Sequence, residues 1–147
     1  MESVQLPPTG VEQGKIIARY ADGRVMKGYT RDFHPHTSPH FHLFPPEVGP
    51  SDKAVEIQIS DLKAVFFVRD FAGDPSYNER KEFTEGERPP GRKVKVTFKD
   101  GEVLVGSTVG YNPHRPGFFF IPADPKSNNL KVFAVTTAVS NVQFLSL

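Results

Sequence analysis

The chain has 147 residues, and 18 lysines and arginines against 17 acids leave a net charge of +1, so no bulk field draws it to nucleic acid or an anionic membrane. Hydrophobic residues at 37% are enough for a folded core, and the absence of cysteine excludes disulfides, thiolate zinc sites and cysteine nucleophiles. The longest apolar run, Ala64–Val68, is too short to span a bilayer and Met1–Gly14 lacks a basic-then-apolar leader pattern, so the expected place is the cytoplasm, away from membranes.

In chain order, residues 1–14, with Pro7-Pro8 and two glycines, read as a loose arm. Ile16, Ala18 and Tyr20 alternate with Ile17 and Arg19, the period of a half-buried strand. Asp22-Gly23 predicts a two-residue type I′ hairpin turn, and the strand after it holds Gly28, where a missing side chain permits a bend. Further strands are expected over His40–Phe44, Ala54–Ile59 and Ala64–Val68. The polar segment 69–92 reads as a charged linker, with Asp74-Pro75 capping a short helix through Glu82.

The pattern then starts again. Lys15–Val25 lies over Lys93–Val103, Asp22-Gly23 over Asp100-Gly101, and Gly28 over Gly106. After a gap of one residue, Phe41, Pro45, Val55, Val65 and Phe67 fall on Phe118, Pro122, Val132, Val142 and Phe144. The chain is therefore a tandem duplication of units at 15–68 and 93–147. The second should carry strands over Val94–Phe98, Phe118–Ile121, Lys131–Thr136 and Asn141–Leu145 besides the one with Gly106. Five short bent strands per unit close most economically into a small barrel. The expected architecture is all-β, two small five-stranded barrels packed together, since about 54 residues make a thin core alone.

A strand, then Asp-Gly-x-Val with a glycine three residues on, resembles the first motif of the Sm-like barrels, with SH3-like barrels close in shape. Val55–Val65 and Val132–Val142 resemble their second, strand-turn-strand motif. The RNA-binding signature of that family is missing. The first loop reads Asp32-Phe33-His34-Pro35-His36 and its copy Gly110-Tyr111-Asn112-Pro113-His114, and neither Arg-Gly nor Lys-His precedes the last strand of either unit. The resemblance thus implies the fold and not a uridine pocket. Leu62–Arg69 followed by Asp70-Phe71-Ala72-Gly73-Asp74 also resembles an uncharacterised bacterial family, which implies no activity.

Phenylalanine is frequent at 13, with Phe66-Phe67 and Phe118-Phe119-Phe120 in runs whose alternation turns at least one ring off its own core. Burial against the sister unit is the first expectation. A patch around Phe66, Phe118 and Phe120 for a protein partner is the second. Nucleic-acid binding through Lys93, Lys95, Lys99, Arg115, Lys126 and Lys131 is the alternative, because the second unit carries six bases against three acids.

Arg88 and Arg92, with Ser107 beyond, resemble the signature of PilZ-type cyclic-dinucleotide receptors, in which arginines grip phosphates. A solvated linker with paired prolines is the favoured reading of them. His34, His36, His40 and His42 crowd into nine residues, and His40 and His42 share a strand face at a spacing suited to a divalent ion. Without acids beyond Asp32 to complete the set, no metal and no other cofactor are expected. No nucleophile motif, phosphate-cradling glycine loop or instructive carboxylate pair appears, so the expected role is a non-catalytic binding or scaffold module.

Overall fold

The computed structural model describes residues 14–46, 54–74, 76–84 and 86–145. Most of the arm therefore lies outside the described residues. The first repeat forms β1 (Gly14–Tyr20), β2 (Val25–Thr30), β3 (His40–Leu43), β4 (Val55–Gln58) and β5 (Leu62–Val68). The second forms β6 (Arg92–Phe98), β7 (Val103–Thr108), β8 (Gly117–Pro122), β9 (Asn129–Val135) and β10 (Val139–Phe144). A single 3₁₀ turn, Ile59–Asp61 or Thr136–Ala138, joins the last two strands of each repeat. Among the described residues no helix is long and apolar enough to cross a membrane.

Both hairpin turns differ from the type I′ expectation. Gly23 and Gly101 have positive φ, but no other residue type does, so Asp22 and Asp100 keep ordinary backbone. Tyr20 N–H donates to Arg24 O while Gly23 N–H donates to Tyr20 O, and Phe98, Glu102 and Gly101 repeat this pattern. Each is a three-residue loop in which a type I turn is closed by a left-handed glycine. The middle aspartate accepts from the N–H two residues on, Asp22 from Arg24 and Asp100 from Glu102. Gly28 and Gly106 serve close approach instead. A Cβ on Gly106 would stand 2.2 Å from Ile121 O, and one on Gly28 2.5 Å from Phe44 O.

Among the described residues the strands close no separate five-stranded barrel. Eight strands share one sheet in the order β10-β6-β7-β8-β9-β5-β1-β2, and β3-β4 make a two-stranded ladder. Tyr29 and Phe44 exchange backbone hydrogen bonds of 2.9 and 2.8 Å, tying that ladder to β2. Each repeat thus has its strands in the order fifth, first, second, third, fourth. The repeats are joined where β5 pairs antiparallel with β9, from Ala64↔Ala134 to Val68↔Asn129.

This seam makes the two cores interdependent. On β5, Leu62 and Val65 face the first repeat's core with Ile16, Ala18, Phe41, Leu43 and Ile57. Ala64, Phe66 and Val68 face the other way, into the second repeat's core with Val94, Val96, Phe98, Phe118 and Phe120. In return Phe133 and Val135 of β9 enter the first core, and Phe119 packs against it. Alternation along one strand sends successive rings to different repeats.

The proposed aromatic patch is therefore overturned. Phe66, Phe118 and Phe120 are only 5, 4 and 1% exposed, and a ring buried between repeats cannot meet a partner. The seam also carries an ion triad built on a buried lysine, with both carboxylates open to solvent. Lys63, 8% exposed, reaches from β5 to Asp100 at 2.7 Å and to Glu102, both in the other repeat's hairpin. Its ammonium lies 4.9 Å from the Phe98 ring centroid, and its hydrogen bond holds the Asp100 carboxyl below the usual carboxylate range.

Candidate functional site

Alternation on β6 turns Val94, Val96 and Phe98 inward and leaves Lys93 and Lys95 on the outer face. On β7, Leu104 faces the core while Val103 and Val105 face outward. This face would be plain surface if the segment between the repeats were a free linker. Instead the segment crosses it. No helix forms over its described residues; Asp74 accepts from Ser76 N–H, and Tyr77 N–H returns to Asp74 O in a turn. The residues expected to propagate a helix spend their polar groups on the second repeat instead.

The anchor is Asp124, 5% exposed, in the loop between β8 and β9. Its carboxylate accepts from Arg80 N–H at 2.8 Å, Tyr77 O–H at 2.5 Å and Lys126 N–H at 2.9 Å. Those bonds, that of Arg80 N–H first, hold its pKa down to about 2. The Arg80 guanidinium forks between Ala123 O at 3.0 Å and the Glu87 carboxylate at 3.0 Å. Glu87 also takes Thr84 N–H at 2.8 Å, and its pKa falls to about 2, through Arg80 first. Ser127 Oγ donates to Glu79, and Arg69 donates to Ser127 O and Pro125 O. The linker is a strap fastened to the second repeat from Arg69 to Arg80, and Glu87 ties its later part back to Arg80.

Both carboxyls sit below their ordinary values of 3.8 and 4.5, so their bonds stabilise the docked strap above those values. That contribution is lost as pH falls from about 4.5 toward 2. Carboxyl-carbon NMR titration should place both midpoints near 2; midpoints near 4 would mean that the strap is not fastened as described.

Between strap and sheet lies a cleft of about 600 Å³, lined by Lys81, Glu82, Phe83, Thr84 and Gly86 above and Lys93, Lys95, Val103, Val105 and Leu145 below. The Lys93 ammonium stands 5.0 Å from the Phe83 ring centroid. Among the described lining residues, three lysines and one carboxylate, Glu82, surround an apolar floor. Such a site can hold an anion with an apolar body.

The other residues singled out by sequence are dispersed. Of the six basic residues, only Lys93 and Lys95 share this cleft. Lys131 lies 4.9 Å from the rings of Phe67 and Phe119, and Lys99 lines a smaller cavity with Lys63 and Asp100. Arg115 is in the loop after β7, and Lys126 is in the Asp124 loop. The cyclic-dinucleotide grouping does not assemble either. The Arg92 guanidinium packs 3.7 Å over Phe144, Ser107 is buried, and Arg88 is exposed on the strap.

His40 and His42 do share a face of β3, their rings 6.0 Å apart. His42 Nδ1 is 2.7 Å from Asp32 Oδ2, which raises the His42 pKa, and His40 Nδ1 is 4.0 Å from Glu56. Among the described residues no three His, Asp or Glu side chains are placed to share a metal ion. The roof of the cleft, Lys81–Thr84 with Gly86, was missed because a polar, proline-containing segment has no periodicity to betray what it covers.

Residues 12–146 match the profile of a family described as a family of unknown function (DUF6982), and the chain belongs to that family. No curated protein and no solved structure matches it.

Proposed function

We propose that this member of the family is a non-catalytic scaffold of two Sm-like units that binds a partner protein by adding a strand of the partner to β10. One observation carries the reading. β5 holds in the first repeat the place that β10 holds in the second, and β5 carries a strand from outside its own repeat, β9, as an antiparallel ladder. Among the described residues the outer edge of β10 carries no strand. Natural edges are usually blunted by lysine, proline or inward charge, whereas Val139–Phe144 contains no charged residue and no proline. Val142 and Phe144 are half-buried, while Asn141 and Gln143 are exposed. A strand with apolar residues on one face and polar on the other matches that edge.

The test places a photo-crosslinking amino acid at Gln143 and, as a control, at Ile121 in the native host. The reading expects a protein adduct from position 143 alone, together with slowed exchange of β10 amides in the bound state. Adducts to nucleic acid alone would replace it with the runner-up, for which the paired Lys93 and Lys95 speak. Such binding would weaken steeply with salt as counterions are released. Adducts to β4 of another copy would make the partner the protein itself.

A further inference from the structure

We propose that the cleft beneath the strap binds a small amphiphilic anion, its head on Lys93, Lys95 and Lys81 and its apolar body on Val103, Val105 and Leu145. This site is separate from the strand edge and stands whether or not a protein binds there.

The volume of about 600 Å³ is that of a small-molecule site. Lys93 and Lys95 stand two residues apart on one strand, so their ammonium groups emerge on the same side. Among the described residues, neither they nor Lys81 is within ion-pair distance of a carboxylate. Among the described residues Glu87 is committed to Arg80 and Thr84, and Glu82 is the carboxylate that lines the cleft beside the three lysines. Beside that rim Val103 is 36% exposed, an apolar side chain left facing the opening. A rim of three lysines next to an apolar floor suits charge and hydrocarbon in one molecule.

The walls are pre-formed. The roof is anchored through Arg80 on Asp124 and Ala123, and within the strap Glu87 bonds back to both Arg80 and Thr84. A ligand therefore meets a seat that it need not order. The head group is a carboxylate or a phosphate, since lysine recognises either as a point charge.

The full chain is titrated with decanoate, decyl phosphate and decanol while backbone amide shifts are followed. Both anions should give saturable shifts confined to residues 81–86, 93–95, 103–105 and 145, the tighter one identifying the head, and decanol should bind at least tenfold more weakly. The surface pair Lys93→Gln and Lys95→Gln should weaken the anions about tenfold without altering the decanol response. Val103→Asp should weaken all three. Equal affinity for decanol, shifts that never saturate or that spread over the surface, or indifference to the lysine pair would overturn the proposal. So would displacement of decanoate by a short oligothymidylate, which would assign the cleft to single-stranded nucleic acid.

Discussion

Expressed separately, residues 14–70 and 90–147 should fail to fold, while the intact chain unfolds in one cooperative transition. The first fragment would lose Phe133 and Val135 from its core and expose Ala64, Phe66 and Val68. The second would lose those three side chains and leave the outer edge of β9 unpaired. Each buried large apolar side chain contributes on the order of 1.5–3 kcal/mol, and a small domain has about 5–15 kcal/mol in all. Removing several at once, with a backbone ladder, exceeds the margin of a unit this small. Circular dichroism and calorimetry on the three proteins decide it. Two fragments that each melt at the temperature of the whole would show that the seam contributes nothing.

The second large effect is expected from Phe133→Ala, at about 3–5 kcal/mol, the usual cost of emptying a buried aromatic site. Its location makes the result diagnostic. Phe133 belongs to the second repeat, is fully buried, and stacks edge-on with Phe33 of the first repeat and Phe119 of its own, at centroid distances of 5.2 and 5.0 Å. Hydrogen exchange should therefore rise in β1 and β3, in the other half of the sequence. Phe66→Ala should do the reverse, loosening β6 and β8 from a position in β5. A mutant in which only the repeat carrying the substitution loosens would contradict the exchange of side chains between cores.

These outcomes bear on what local sequence is able to encode. The ten strands and the two hairpins were legible because a two-residue apolar period and an Asp-Gly turn are properties of a few neighbouring residues. Even there the turn type was decided by the backbone. Keeping Asp22 and Asp100 out of positive φ requires three loop residues instead of two.

Alternation in Ala64–Val68 and Phe118–Phe120 likewise announced two apolar faces. It did not say which core each face would enter, since a strand edge chooses its neighbour only in three dimensions.

The candidate site shows the same division. Lys93 and Lys95 stood out in the sequence only as two of the six bases of the second unit. That a polar segment would lie across them depended on Asp124, a single carboxylate more than 40 residues downstream of Tyr77 and Arg80. The sequence alone determined an all-β chain with apolar faces. Tertiary structure decided that the repeats share a sheet, that their rings cross between cores, and that the linker roofs a cleft. All three follow from long-range pairing, in which each group is satisfied by a partner that no local pattern can name.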